Sequence, residues 1–242
     1  MTSVLITGVG RDNIGFAAAR RIARDAQTLV IADVRPIPEA LIAAIRGETS
    51  ARIVAETVDV ASAASIDRLL DVAFEAAPEL DGLVNCAGIA DPTPPLAITM
   101  DAWDRLMTVN LKGTFFVAQG FVQRLLDRGR GGSIVNLSSM AGRTGGKHNG
   151  LHYAASKAGV ISITKGLARA FGEKGIRVNA VAPGIIDTVM SHNVKGSDDQ
   201  ARNSPLGRWG TIDEVGETIA FLLGPGASYV TGATLDVNGG IV

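Results

Sequence analysis

Residues 4–19 read VLITGVGRDNIGFAAA, and this stretch decides the fold. An apolar β-branched run, Val4–Thr7, passes through a glycine-rich turn into an alanine-rich helical segment that begins near Gly15. Strand, glycine turn and helix in this order are typical of the first unit of a doubly wound α/β domain. The free N–H groups and the dipole at the start of such a helix favour anions. The turn is therefore a candidate pyrophosphate site, although a glycine-rich turn without a ligand would have the same pattern. The candidate contact residues are Gly8, Arg11, Asn13, Ile14 and Gly15.

The same alternation of short strands and helices continues to the end of the chain. Most strand-like runs are apolar along their whole length, as expected for strands covered on both faces of a parallel sheet. The predicted strands are Val4–Thr7, Thr28–Ala32, Arg52–Val58, Gly82–Cys86, Ser133–Leu137, Arg177–Ala182 and Thr234–Val237, and the predicted helices are 15–25, 62–77, 101–127, 153–173 and 212–223. The pattern predicts one α/β domain over 1–242, with a doubly wound, mostly parallel seven-stranded sheet and helices on both faces (Rossmann-like). The polar stretch 188–206 interrupts it and predicts a loop or a mobile lid over the substrate.

The composition argues against several classes of partner. A formal net charge of −1 creates no field that would attract nucleic acid or an anionic membrane. The apolar stretches are too short to span a bilayer, and the first residues lack the basic segment of a signal peptide, so we expect a cytoplasmic protein. The single cysteine, Cys86, cannot form an intramolecular disulfide. His148 and His152 have no evident carboxylate or thiol partner, so we expect both on the surface and predict no metal.

Acidic and small residues at strand ends suggest which dinucleotide is bound. Asp33 ends the second strand, where a carboxylate can accept hydrogen bonds from ribose hydroxyls and would repel a 2′-phosphate. Arg11 and Arg35 could instead pair with that phosphate. We therefore expect NAD, with NADP as the alternative. Asp59 and Val60 after the third strand fit contacts with adenine, and Asn85, Ala87 and Gly88 after the fourth leave room for a flat ring. Both sets fit ordinary strand-to-loop transitions equally well.

A tyrosine and a lysine four residues apart open a predicted helix. Tyr153 and Lys157 share a helix face, so the ammonium can lie near the phenol. A nearby cation lowers the tyrosine pKa from its ordinary value near 10 and allows Tyr153 to act as general acid or base. Ser138 and Ser139 end the fifth strand, where a hydroxyl could stabilise charge on a substrate oxygen. Asn110 is an amide within an apolar helix, and we expect it to bind backbone or an ordered water.

These strings, taken in order, resemble the short-chain dehydrogenase/reductase family over essentially the whole chain, and most closely its 3-oxoacyl-carrier-protein reductases. The strings are Thr7-Gly8 with Ile14-Gly15, Asn85–Gly88, Asn110, Ser139, Tyr153 with Lys157, Asn179–Gly184 and Val237–Gly240. The resemblance implies hydride transfer between a nicotinamide and a ketone or secondary alcohol, possibly a 3-oxoacyl substrate. Tyr153 would be the acid/base, Lys157 would tune it and hold the nicotinamide ribose, Ser139 would orient the carbonyl, and Asn110 would support a relay water. Pro183, Gly184, Ile186 and Thr188 would hold the nicotinamide, and the protein would be a homotetramer.

One departure from the family pattern concerns the glycine loop. The loop has one extra residue, and Asn13 stands where the family has its middle glycine. Asparagine tolerates left-handed backbone better than most residues, so we expect the loop to close. Two alternatives remain, a non-catalytic NAD(P)-binding regulator and an enoyl reductase. The retained Tyr153 and Lys157 argue against the first, and their four-residue spacing argues against the second.

Overall fold

The computed structural model describes residues 3–10, 13–146, 150–192 and 196–241. Its strands are β1 (Ser3–Thr7), β2 (Thr28–Asp33), β3 (Arg52–Thr57), β4 (Gly82–Asn85), β5 (Gly132–Leu137), β6 (Ile176–Pro183) and β7 (Thr234–Val237). Its helices are α1 (Ile14–Ala23), α2 (Glu39–Arg46), α3 (Ala63–Ala76), α4 (Met100–Met107), α5 (Thr114–Asp127), α6 (Ala141–Thr144), α7 (Leu151–Phe171), α8 (Val189–His192), α9 (Ser197–Arg202) and α10 (Ile212–Leu223). A π-helical segment, Thr108–Gly113, joins α4 to α5 without a break.

All seven strands of the described chain are parallel, in the order β3-β2-β1-β4-β5-β6-β7. Alternate residues of each strand face opposite helix layers: Val4 and Ile6 pack with α1, α2 and α10, whereas Leu5 packs with α3, α5 and α7. The chain winds outward from β1 to β3 and then crosses to β4 on the other side of β1. This reversal leaves a crevice at the carboxyl ends of β1 and β4, where doubly wound folds bind ligands.

The predicted single-domain, seven-stranded fold is confirmed, with element ends shifted by one or two residues. Helix α2 was missed, although its sequence carries a signal: Pro38 precedes Glu39, Leu41, Ile42 and Ile45 follow at helical spacing, and Gly47 follows the helix. The predicted helix 101–127 contains the π-helical segment, which apolar periodicity does not reveal. The polar stretch 188–206 contains α8 and α9 and is not entirely loop.

Candidate active site

Two glycines allow the first turn to pack against its neighbours. Gly8 has φ +82° and its N–H donates to the Ala32 carbonyl at 2.7 Å. A Cβ at Gly8 would lie 2.6 Å from the Ala87 nitrogen, and one at Gly15 would lie 2.3 Å from the Gly8 carbonyl oxygen. Side chains at these positions would force β1, β4 and the start of α1 apart. The turn therefore brings the N-terminus of α1 close to the end of β4.

Asn13 closes the loop in a different way from the one expected. Its backbone is extended, with φ −147° and ψ −178°, so the expected use of left-handed backbone is wrong. The side chain instead caps α1, because its Oδ1 accepts from the Phe16 N–H at 2.9 Å while its Nδ2 donates to the Gly8 carbonyl at 3.2 Å. Ile14 begins α1 directly after this cap. Arg11, the other predicted contact in the loop, lies outside the described residues.

The Asp33 carboxylate is held at the mouth of the crevice by backbone donors. It accepts from the Gly10 N–H at 2.8 Å and from the Arg35 N–H at 3.3 Å. A Cβ at Gly10 would lie 2.5 Å from the Asp33 carboxyl carbon, so a larger residue there would displace this carboxylate. The Arg35 side chain is exposed. The site therefore presents an oriented anionic acceptor beside the glycine loop.

The predicted adenine contacts lie in different environments. Asp59 is exposed and its Oδ1 accepts from the Ala61 N–H at 2.9 Å, whereas Val60 is buried against the π-helical segment at Gly113. Asn85 is buried, and its Nδ2 donates to Asn136 Oδ1 at 2.9 Å. The Asn85 side chain thus ties β4 to β5.

The π-helical segment places Asn110 against the loop after β4. The Asn110 side chain is fully buried; its Oδ1 accepts from the Ile89 N–H at 2.8 Å and its Nδ2 donates to the Ile89 carbonyl at 2.9 Å and to Ser156 Oγ at 3.2 Å. The expectation that Asn110 binds backbone is confirmed. A Cβ at Gly88 would lie 3.3 Å from Asn110 Oδ1 and 3.6 Å from Lys157 Nζ, so these three residues meet at one point. Widened helical turns of this kind are frequent at functional sites.

The two serines at the end of β5 have different partners. Ser138 Oγ donates to the Lys157 carbonyl at 2.8 Å and fixes the strand to α7. Ser139 Oγ accepts from the Ala141 N–H at 3.1 Å, and the Ser139 hydroxyl lies close enough to Tyr153 to lower the pKa of its phenol. Ser139 is therefore the serine that shares a site with the tyrosine.

Burial controls the electrostatics around Tyr153 and Lys157. It raises the pKa of Tyr153, and the hydrogen bond from Ser139 offsets this only in part. The expectation of a lowered tyrosine pKa is therefore wrong. Burial also lowers the pKa of Lys157 from 10.5 to about 8. The ammonium donates to the Leu137 carbonyl at 2.7 Å and lies 5.8 Å from the centre of the Tyr153 ring. Burial raises the pKa of the neighbouring Cys86 thiol to about 12, so Cys86 stays protonated.

The loop after β6 completes the carboxyl edge. The Pro183 carbonyl accepts from the Met140 N–H at 2.8 Å, and the Gly184 N–H donates to the Val237 carbonyl at 3.0 Å. Ile186 is buried and pairs with Gly210 in an isolated parallel bridge. The Thr188 hydroxyl accepts from the Ser191 N–H at 3.2 Å at the start of α8. These contacts fix the loop on the same edge as Tyr153.

His152 was predicted to lie on the surface, and that prediction is wrong. Its side chain is fully buried, with Nε2 3.3 Å from Asp91 Oδ2 and the ring stacked on Trp103. His148 lies outside the described residues. Within the described ranges, no group of three or more histidine, cysteine, aspartate or glutamate side chains is arranged to hold a metal ion. Across those ranges, no helix is long and apolar enough to cross a membrane.

Comparison with known proteins gives matches over nearly the full chain. A family model described as enoyl-(acyl carrier protein) reductase matches residues 8–242. The (3R)-3-hydroxyacyl-CoA dehydrogenase of Canis lupus familiaris is 37% identical over 251 residues, which cover 98% of this chain and 95% of the relative. The 3-oxoacyl-[acyl-carrier-protein] reductase of Synechocystis sp. is 35% identical over 241 residues, which cover 98% of this chain and 96% of the relative.

A solved structure matches the whole fold. The blue fluorescent protein from a metagenomic library, in complex with NADPH, superposes with a TM-score of 0.90 and 31% sequence identity. The match covers 100% of this chain and 98% of that protein. The strand order and the position of the crevice are therefore those of a known nicotinamide-binding architecture.

Proposed function

Because the chain belongs to the short-chain dehydrogenase/reductase family, we propose that it interconverts a 3-oxoacyl thioester and the corresponding 3-hydroxyacyl thioester. It is an oxidoreductase that uses a nicotinamide cofactor and acts on CH–OH and C=O groups. The acyl substrate is inferred from the names of two relatives that match nearly the full chain. The observation that carries the chemistry is the cluster of Tyr153, Ser139 and Lys157: the Ser139 hydroxyl lowers the pKa of Tyr153, and Lys157 Nζ lies 5.8 Å from the centre of the phenol ring.

In this proposal, four side chains take part in the transfer of a proton to or from the substrate oxygen. Tyr153 donates its hydroxyl proton to the substrate carbonyl oxygen during reduction and takes it back during oxidation. Ser139 orients that oxygen by hydrogen bonding. Burial raises the pKa of Tyr153, so the phenolate needs a nearby cation, and we assign that role to the Lys157 ammonium, 5.8 Å from the centre of the phenol ring. Asn110, through its bonds to Ile89, supports a relay water next to Lys157.

The residues at the crevice fit a nicotinamide dinucleotide. The bound nicotinamide supplies or accepts the hydride. Gly8 and Gly15 pack so closely against neighbouring backbone that no Cβ fits there, which holds the N-terminus of α1 at the crevice, where it favours a pyrophosphate. We assign the dinucleotide contacts to Gly8, Arg11, Asn13, Ile14, Gly15, Asp33, Asp59, Val60, Asn85, Ala87, Gly88, Tyr153, Lys157, Pro183, Gly184, Ile186 and Thr188. In the same proposal, the segment 188–206 covers the substrate and the protein is a homotetramer.

NAD is the preferred form of the cofactor in this proposal. The Asp33 carboxylate, held by two backbone N–H groups, can accept from both ribose hydroxyls but would repel a 2′-phosphate. The exposed Arg35 could still reach a 2′-phosphate. The preference for NAD over NADP therefore depends on whether the Asp33 carboxylate or the Arg35 guanidinium lies closer to the ribose. Asp33 is the oriented one of the two.

The test is a fluorescence titration with NADH and NADPH, followed by turnover of acetoacetyl-CoA. We expect tighter binding of NADH, and we expect Asp33→Asn to narrow or reverse the difference. Glu39→Gln, which removes an exposed carboxylate on α2, is the matched control and should leave it unchanged. NADPH preference in the unaltered protein would overturn the cofactor assignment. NADH binding without reduction of acetoacetyl-CoA would overturn the proposed catalytic activity. Reduction by Tyr153→Phe at the rate of the unaltered protein would overturn it too.

A further inference from the structure

The helix that carries Tyr153 begins without a side-chain cap. Gly150, with φ +77°, stands at the N-cap position before Leu151, and among the described residues no side chain caps the first N–H groups of α7. Tyr153 is the third residue of this helix. The first turn of an uncapped helix frays unless packing holds it. The position of the Tyr153 hydroxyl therefore depends on what holds residues 150–153.

His152 provides that contact from within the first turn. Its imidazole is fully buried between two other parts of the chain. On one side it stacks on Trp103 of α4, with ring centroids 6.4 Å apart and an interplanar angle of 20°. On the other side Nε2 lies 3.3 Å from Asp91 Oδ2 in the loop after β4. A buried imidazole is costly to desolvate, so a leucine would be the simpler filler at a purely structural position.

Asp91 is itself fixed in place. Its Oδ1 accepts from the Thr93 N–H at 3.0 Å and from the Thr93 hydroxyl, and these bonds are the main cause of the lowered pKa of Asp91. The carboxylate is therefore ionised and lies 3.3 Å from His152 Nε2, a buried nitrogen that forms no hydrogen bond within the described residues. A Cβ at Gly150 would lie 2.2 Å from the Asp91 carbonyl oxygen, so the loop and the helix start are in direct contact.

The same loop is held by the catalytic asparagine at its other end. Asn110 bonds both the N–H and the carbonyl of Ile89, two residues before Asp91. Ile89 and Ala90 also pack against Tyr153 and Leu106. A chain of contacts thus runs from Asn110 through the loop to Asp91, His152 and the first turn of α7.

We propose that His152 and Asp91 form a positioning pair that sets the Tyr153 hydroxyl against Ser139. The pair contacts neither substrate nor cofactor in this proposal and acts through Tyr153. It rests on the proposed role of Tyr153 as acid/base. Misplacement of a reacting group by about 1 Å can cost about 100-fold in rate, so the loss of the pair should appear in kcat.

The test compares His152→Leu, which fills the space without a donor, with His152→Gln, whose Nε2 can replace the imidazole Nε2. We expect His152→Leu to lower kcat by about 10- to 100-fold with KM for NADH changed less than about 2-fold, and His152→Gln to recover most of kcat. Asp91→Asn alone should lower kcat. When it is combined with His152→Leu, it should lower kcat no further. Ile176→Val is the control for lost stability. Ile176 is buried at the amino end of β6, away from Tyr153, so this variant should keep the kcat of the unaltered protein.

A second readout is independent of turnover. In the Tyr229→Phe background Tyr153 is the only tyrosine, so alkaline absorbance reports its ionisation alone. The Ser139 hydrogen bond lowers the pKa of Tyr153, so His152→Leu should raise it if the pair sets that bond. Unaltered kcat and unaltered ionisation in His152→Leu would overturn the proposal. If the unaltered protein reduces no carbonyl, the proposed function fails, whereas the ionisation result still decides whether the pair positions Tyr153.

Discussion

Lys157 is a buried lysine that the fold accommodates at a cost in stability, and Lys157→Met should reveal that cost. Lys157 is 4% exposed, and burial lowers the pKa of its ammonium from 10.5 to about 8. The unfolded chain therefore binds more protons than the folded protein between these pH values. By linkage, the free energy of unfolding rises with pH through this window. Lys157→Met keeps most of the side-chain volume and has no titrating group.

The structure sets the size of the effect. Each pKa unit corresponds to 1.36 kcal/mol, so the full penalty at low pH is about 3 kcal/mol, of which about 1 kcal/mol is relieved between pH 7 and pH 9. For a chain of this length, 1 kcal/mol shifts Tm by roughly 2–4 °C. Part of the penalty is offset by the hydrogen bond from Nζ to the Leu137 carbonyl, worth about 1.5–3 kcal/mol for a charged donor. The pH dependence is therefore a cleaner measure than the absolute stability difference.

The assay is thermal unfolding of the unaltered protein and Lys157→Met at one protein concentration, at several values from about pH 7 to pH 9. We expect the Tm of the unaltered protein to rise relative to that of the variant by roughly 2–4 °C. Cys86 opposes this rise above its ordinary pKa of 9.0, because its folded-state pKa is raised to about 12, but it is present in both proteins. Parallel Tm curves would refute the claim that Lys157 is buried with a lowered pKa.

Two further predictions concern Tyr153 and the glycine loop. In Tyr229→Phe, absorbance titration should place the ionisation of Tyr153 above the ordinary value of 10.0, and Ser139→Ala should raise it further; a value below 10.0 would contradict the burial argument. Gly8→Ala should abolish NADH binding and lower the free energy of unfolding by about 1–3 kcal/mol, because φ is +82° and the added Cβ would meet backbone 2.6 Å away. Gly129→Ala, with φ +63° and open space, is its control and should retain NADH binding.

The glycine loop shows how one function can be met by different local chemistry. The family pattern places a glycine where this chain has Asn13. From the sequence alone, the backbone conformation of the loop at this position was therefore open. In the structure Asn13 is the N-cap of α1. Its side-chain amide accepts from the Phe16 N–H and donates to the Gly8 carbonyl. Since a side-chain cap works with extended backbone, the position no longer needs a residue that tolerates positive φ.

At the candidate catalytic residues, features set by nearby sequence were predicted correctly and features set by the surrounding packing were not. The four-residue spacing of Tyr153 and Lys157 and the position of Ser139 at a strand end are local features, and the structure brings these residues together as expected. The pKa of Tyr153 was expected to fall because a lysine is near. It rises because desolvation, which depends on everything packed around the ring, outweighs the hydrogen bond from Ser139.

Periodicity and short spacings are set within a few residues, so they were enough to predict the strands, most of the helices and the shared helix face of Tyr153 and Lys157. Only the tertiary structure decided which distant groups meet. The π-helical turn at Asn110 and its bonds to Ile89, 21 residues away, depend on packing between two segments. The same is true of His152: the sequence shows a histidine beside a tyrosine, but its burial against Asp91 and Trp103 arises only when α4, α7 and the loop after β4 pack together.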